Sequence, residues 1–168
     1  MKLYAISSTG MLLLLAACGA STSPPLADGD PIIGAWRSQV TFRDGALAAM
    51  HGLEFMYVFN AGGTLTESSN YDGAPPVPPA YGVWRRIAPR RYEARYLYFT
   101  TQPPADWPAI AAGRGWNPAG HGELRETIDV GNDGRSFEST LSLALFDTTG
   151  KPAEGGGSAT GHGTRIGF

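Results

Sequence analysis

The chain has 168 residues, of which 13 are basic and 15 acidic, and its formal net charge is −2. This near-neutral balance excludes the basic footprint that nucleic-acid-binding domains carry, so we expect no nucleic-acid partner. Since the sequence contains one cysteine, an internal disulfide is also excluded. Stability must therefore come from packing and hydrogen bonding.

The first eighteen residues have the layout of a secretory signal peptide. Lys2 provides a short positive region, residues 11–17 form a continuous apolar run, and the cysteine, Cys18, follows directly. The run is too short to span a bilayer as a helix. Its ending, Leu-Ala-Ala-Cys, resembles the lipobox of bacterial lipoproteins, in which the cysteine is acylated and becomes the first residue. The alternative is ordinary cleavage near Ala17, with Cys18 left as a free thiol.

The lipobox resemblance implies a location for the protein and a partner. Residues 1–17 would be removed as a lipoprotein signal peptide, and acyl chains such as palmitate on Cys18 would insert into membrane lipid. We expect a lipid-anchored protein of the bacterial cell envelope, on the outer membrane and facing the periplasm. The segment from the lipidated cysteine to residue 31 has no apolar period. Residues 18–31 therefore predict a flexible tether.

From residue 32 to the end, the chain shows the two-residue apolar alternation of β-strands. In residues 32–43, for example, Trp36, Val40 and Phe42 share one parity, and polar side chains occupy most of the other. Seven further segments have this character or a less regular form of it. We predict strands at 32–43, 53–59, 63–69, 81–87, 91–101, 123–130, 135–147 and 158–168.

Short and long connections alternate between these strands. Tight turns rich in Gly, Pro, Asn or Asp occur at 60–62, 88–90 and 131–134, whereas the joins at 44–52, 70–80, 102–122 and 148–157 are long. In an up-and-down sheet, the long joins would surround one mouth and the tight turns would close the opposite end. We therefore predict an all-β domain over residues 32–168, an eight-stranded up-and-down antiparallel barrel with one short helix at most.

Gly34-Ala35-Trp36 matches the G-x-W signature that opens the first strand of the lipocalins. The domain thus resembles the calycins, a group that includes the lipocalins and related small ligand-binding barrels. In lipocalins the tryptophan closes the barrel floor and packs against an arginine near the end of the barrel. The resemblance implies that Trp36 and Arg165 form this barrel-closing pair. The order of long and short loops is also similar to that of lipocalins, whose mouth lies at the long-loop end.

Aromatic side chains, several with polar tips, dominate the set that alternation places inside the barrel. The predicted ligand-binding residues are Phe42, Phe55, Tyr57, Tyr96, Tyr98 and Phe137. This mixture suits a small hydrophobic or amphipathic molecule. We therefore predict a monomeric lipoprotein that binds such a ligand without chemistry and without a cofactor. If the same rings fill the interior, the prediction becomes a structural or partner-binding envelope lipoprotein.

A catalytic role is the alternative from the enzyme class. Tyr57, Glu67 or His51 would supply the acid and base of a barrel-type isomerase or hydrolase. The serines lack the G-x-S-x-G elbow of hydrolase nucleophiles. Glu123 and Glu126 alternate around an arginine, and we interpret them as ordinary strand surface.

The histidines and arginines allow two further hypotheses. His51, His121 and His162 each adjoin a glycine but lack the paired spacing of metal ligands, so we predict no metal site. Five arginines fall within residues 85–95. They predict the solvent face of a hairpin or, alternatively, a patch for anionic lipid head groups or acidic sugars.

Overall fold

The computed structural model of the protein describes residues 29–71, 78–104, 106–112 and 115–168. The predicted signal peptide, Cys18 and residues 19–28 of the predicted tether lie outside these ranges. Within them, the chain forms a closed barrel in which each strand pairs with the next and the last strand pairs with the first.

Eight antiparallel strands make up the barrel in up-and-down order. They are β1 (Gly34–Phe42), β2 (Glu54–Phe59), β3 (Thr64–Ser69), β4 (Ala80–Ala88), β5 (Arg91–Gln102), β6 (Asn117–Val130), β7 (Ser136–Phe146) and β8 (Pro152–Arg165). The predicted fold class is confirmed. Among the described residues there is one short helix, α1 (Trp107–Ala111), and no helix is long and apolar enough to cross a membrane.

The two kinds of connection lie at opposite ends of the barrel. The turns at residues 60–63, 89–90 and 131–135 define what we call the closed end, and the connections after β1, β3, β5 and β7 define the open end. The prediction of a long loop at 148–157 is wrong. Strand β8 begins at Pro152, so β7 and β8 are joined by a turn at residues 147–151.

Close backbone approach explains why the glycine-rich segment before residue 158 is a strand. A Cβ atom on Gly156 would lie 2.5 Å from the carbonyl oxygen of Leu143, and one on Gly157 would collide with the carbonyl of Asp44. The Asp44 carboxylate also accepts hydrogen bonds from the backbone N–H (2.8 Å) and hydroxyl (2.6 Å) of Ser158. These tertiary contacts override the poor intrinsic strand preference of glycine.

The inward face of β8 contributes almost no side-chain volume. Its buried positions are Ala159, Gly161 and Gly163. A Cβ atom on Gly163 would collide with the ring of Phe137, and one on Gly161 would lie 2.5 Å from the hydroxyl oxygen of Ser139. The space above β8 is therefore available to side chains from the facing strands.

Aromatic side chains fill the closed half of the barrel. The ring centroid of Tyr57 lies 5.4 Å from that of Phe59, 6.0 Å from that of Tyr96 and 6.2 Å from that of Phe137. Trp36 packs on Phe137 at 5.2 Å. All five side chains are essentially inaccessible to solvent, so this half of the barrel is a packed core.

Arg165 and Trp36 contact each other at the closed end. The guanidinium carbon of Arg165 lies 4.3 Å from the centroid of the Trp36 ring. The same guanidinium donates hydrogen bonds to the carbonyl oxygens of Ile33 (2.7 Å), Gly134 (2.8 Å) and Pro31. One side chain thus connects β8 with the chain before β1 and with the turn between β6 and β7.

The described chain enters the barrel at this closed end, where Asp30 is buried. Its carboxylate accepts a hydrogen bond from the Tyr92 hydroxyl at 2.8 Å and lies 3.4 Å from Nη1 of Arg86. Asp30 is 5% exposed. These contacts attach the residue to β4 and β5.

We expect Arg165→Ala to lower the free energy of unfolding by about 3 kcal/mol, because it leaves carbonyl acceptors unpaired and removes the stacking on Trp36. Urea denaturation followed by near-UV circular dichroism measures the change. Arg37→Ala is the matched control, since exposed Arg37 pairs with Glu54 at 2.7 Å and such pairs contribute less than about 1 kcal/mol. Equal losses in the two variants would contradict the role assigned to Arg165.

Candidate functional site

The open half of the barrel contains a cavity of about 270 Å³. Its walls are mostly apolar and come from β1, β2, β3, β5, β6 and β7 and from the connection after β1. The wall residues include Phe42, Leu47, Leu53, Leu124, Leu143 and Leu145. The aromatic core lies beneath the cavity, so a ligand would enter from the open end.

The structure divides the six predicted ligand-binding residues between two levels of the barrel. Phe42, Phe55 and Tyr98 line the cavity, whereas Tyr57, Tyr96 and Phe137 lie in the packed core beneath it. Alternation identifies which side chains point inward, but it does not distinguish these two levels. Contact with a ligand remains a prediction for all six.

Glu67 lies where the cavity meets the core. It belongs to β3, lines the cavity and pairs across the sheet with Tyr57 of the core. The residue is 6% exposed, and its Oε1 atom is buried without a hydrogen-bond partner among the described residues. A buried acceptor that lacks a donor destabilises the fold by about 1–3 kcal/mol. A donor that reached this carboxyl group from the cavity would offset that cost.

Glu126 of β6 is a second buried carboxyl near Glu67. It is 2% exposed and accepts a hydrogen bond from the Tyr96 hydroxyl at 2.9 Å, while its Oε1 atom has no partner among the described residues. Its interpretation as strand surface is wrong. Glu126 shares the parity of Leu124 and Ile128, which are buried. Alternation therefore contained the signal, and the general exposure of carboxylates outweighed it.

Burial raises the pKa of both carboxyl groups. The pKa of Glu67 rises to about 8, through burial first and repulsion from Glu126 second. Burial raises the pKa of Glu126 to about 7, although hydrogen bonds from nearby hydroxyls oppose the shift. Near neutral pH the pair retains protons that ordinary carboxyls have lost. Glu67 can thus act as a hydrogen-bond donor while protonated and as a buried anion once it loses the proton.

The residues of the catalytic hypothesis do not converge on one reacting position. Glu67 lines the cavity, but the hydroxyl of Tyr57 lies in the core, 3.3 Å from that of Tyr96. His51 is exposed in the connection between β1 and β2. Because acid–base catalysis requires both groups within reach of one substrate atom, this arrangement favours binding over chemistry.

The three histidines lie in separate parts of the barrel. His121 of β6 stacks on Phe146 with ring centroids 4.9 Å apart, and Nδ1 of His162 in β8 lies 2.6 Å from a carboxylate oxygen of Glu138. In the part of the chain that the structure describes, no group of three or more His, Cys, Asp or Glu side chains is placed to hold a metal ion.

The arginines of residues 85–95 are largely paired with acidic side chains. The pairs are Arg85–Glu93 (2.5 Å), Arg86–Asp30 (3.4 Å), Arg91–Asp129 (3.7 Å) and Arg95–Glu123 (2.6 Å). Arg90 instead donates to the carbonyl oxygen of Val130 at 3.1 Å. Local compensation of these charges favours the solvent face of a hairpin over a patch for anionic head groups.

No protein-family model matches this sequence, and no curated protein is significantly similar to it. A function therefore has to be inferred from the site itself. The observations that bear on it are an apolar cavity at one end of the barrel, the buried carboxyl group of Glu67 in its wall, and the carboxyl group of Glu126 in the core nearby.

We expect Glu67→Gln to stabilise the protein at pH 8 and to have little effect at pH 5. The pKa of Glu67 is about 8 in the folded state and 4.5 in the reference state, so folding favours the protonated form. The contribution of the Glu67 carboxyl group to the free energy of unfolding is fully present below pH 4.5 and is lost as the pH rises toward 8. Glutamine does not ionise and therefore removes this loss of stability, which reaches about 1.4 kcal/mol per pH unit.

Urea denaturation at pH 5, 6.5 and 8 tests this prediction. Glu93→Gln is the control, because Glu93 lies on the outer face and pairs with exposed Arg85. The stability difference between wild type and Glu67→Gln should grow with pH, while that of the control should stay nearly constant. A constant difference for both variants would rule out an unusual titration of Glu67.

Proposed function

We propose that this protein is a binding protein that holds one small hydrophobic or amphipathic molecule in the cavity at the open end. The observation that carries the proposal is the uneven filling of the barrel. Large rings pack the closed half, whereas apolar side chains in the open half surround about 270 Å³ of space. Natural cores leave few voids of this size, so an unfilled apolar volume favours a bound guest.

The size of the cavity restricts the ligand. Ligand pockets commonly measure about 300–1,000 Å³, and an apolar cavity of about 150 Å³ is large enough for benzene. A volume of about 270 Å³ therefore suits a small ring compound or a short alkyl chain. A longer chain would extend through the mouth between the connections of the open end.

The proposal includes a lipocalin-like identity for the barrel. Its support is the G-x-W tripeptide at Gly34–Trp36, the up-and-down order of eight strands, and the stacking of Arg165 on Trp36. In lipocalins the tryptophan and arginine occupy the closed end and the ligand enters at the other. The cavity of this chain lies on the corresponding side of the aromatic core.

We further propose that the protein is a lipoprotein of the bacterial envelope, anchored through acylated Cys18. The support is the order of a positive residue, an apolar run and Leu-Ala-Ala-Cys at residues 15–18. Two or more acyl chains would give stable attachment. The protein would act as a monomer on the periplasmic face of the outer membrane.

Filling the cavity should abolish binding without unfolding the barrel. We expect Leu143→Trp to weaken binding of an octyl-chain ligand at least tenfold, equivalent to about 1.4 kcal/mol, because the indole would occupy the volume that Leu143 now borders. Isothermal titration calorimetry with 1-octanol measures the affinity. Far-UV circular dichroism checks that the barrel is intact.

Val83→Trp is the matched control for this substitution. Val83 is 58% exposed on β4, so the same added volume would lie outside the barrel and leave the affinity unchanged. If wild type gives no saturable signal with 1-octanol or any other small apolar compound, the binding function is wrong. Equal binding by wild type and Leu143→Trp would place the ligand elsewhere.

Replacing Cys18 should release the protein from the membrane. We expect Cys18→Ala to abolish incorporation of a labelled fatty acid in bacterial cells, because the thiol is the acceptor in the proposed modification. Metabolic labelling followed by fractionation measures both acylation and location. A matched Ser7→Ala substitution, in the same segment but outside the proposed acceptor, should leave labelling unchanged. Equal labelling of the wild type and Cys18→Ala would exclude the proposed anchor.

A further inference from the structure

We infer that the cavity accepts its ligand with a protonated amine at the inner end, held by the carboxyl group of Glu67. This inference rests on the proposed binding function and specifies the chemical class of the ligand, an amphipathic amine. The apolar walls would surround its alkyl or aromatic body.

The unpartnered oxygen of Glu67 is the first support. Oε1 is buried and lacks a donor among the described residues, and the side chain lines the cavity. Buried polar atoms in native proteins are almost always hydrogen-bonded. Oε1 itself is inaccessible to solvent, so a donor entering from the cavity would meet the part of the carboxyl group that borders it. The leading group of a ligand would therefore be a donor.

The absence of basic groups around the cavity is the second support. No lysine, arginine or histidine is among the described residues that line it. The neighbouring carboxyls of Glu67 and Glu126 instead leave one oxygen each without a partner among the described residues. A cation at this position would offset their mutual repulsion, whereas a carboxylate would add a third acidic group. The site should therefore select amines against fatty acids.

Few titratable groups from the surrounding strands face Glu67. They are the hydroxyls of Tyr57 on β2 and of Tyr96 and Tyr98 on β5, together with the carboxyl of Glu126 on β6. The buried inward side chains of β1, β4, β7 and β8 are apolar or are serines. Because these tyrosines remain neutral up to high pH, the two carboxyls decide the charge of the site near pH 7.

Amine binding would displace a proton from the site. Below pH 8 the free site holds Glu67 mainly protonated, since the pKa of this carboxyl is about 8. An alkylammonium ion binds the ionised form, so the Glu67 proton leaves to solvent and the amine keeps its own. The affinity should then rise by up to tenfold per pH unit between pH 6 and pH 8. A carboxylate ligand should show the opposite trend, and an alcohol no comparable rise.

The test compares octylamine, 1-octanol and octanoate as ligands of the purified protein at pH 6, 7 and 8. Isothermal titration calorimetry in two buffers of different ionisation enthalpy measures the affinity and the number of protons released. We expect octylamine to bind at least tenfold more tightly than 1-octanol at pH 8, with close to one proton released per amine at pH 7. Octanoate should bind most weakly at pH 8.

The Glu67→Gln variant distinguishes binding of the amine group from binding of the apolar part of the ligand. The variant should lose the preference for octylamine and its proton release, so that octylamine and 1-octanol bind with similar affinities. Glu93→Gln, on the outer face, should behave as wild type. If 1-octanol binds and octylamine binds no better, with no proton release, the amine inference is wrong and the binding function stands. If none of the three compounds binds, the amine inference is wrong, and the binding function is wrong as well if small ring compounds such as benzene also fail to bind.

Discussion

The small inward face of β8 determines how the interior of the barrel is used. A closed barrel of eight strands has a fixed internal volume, and every side chain that points inward competes for it. Because Gly161 and Gly163 contribute only backbone, the rings of Phe137, Tyr57 and Trp36 can meet across the closed half. The core is thus concentrated at one end, and the other end can remain open without loss of the fold.

Alternation predicted the barrel because each strand has one buried and one solvated face. The eight strands, their order and the end at which the mouth lies all follow from this period and from the turn residues. Other features did not follow. The strand at residues 152–157 depends on glycines packed against Leu143 and Asp44, which composition does not reveal. The division between core and cavity depends on the position of each ring along the barrel axis. The alternation of inward and outward residues does not indicate that position.

The usual exposure of carboxyl groups and the structure disagree most at Glu67 and Glu126. Glu67 and Glu126 occupy inward positions at which most barrels would place apolar side chains, and burial of two acids opposes folding at neutral pH. Sequences depart from consistent patterning chiefly at functional sites. This departure lies at the boundary between core and cavity, within the sheet rather than in a loop, so the barrel itself holds both groups in position. That rigidity is what a selective head-group site requires.

The buried contacts of Asp30 determine the end of the barrel at which the preceding chain is attached. Its contacts with Tyr92 and Arg86 fix the incoming chain at the pole opposite the mouth. Between residues 18 and 29 a chain reaches at most about 40 Å. An acyl group at Cys18 would therefore attach the domain by its base, at the end of the barrel away from the mouth. A ligand could then enter and leave at the mouth without passing the point of attachment.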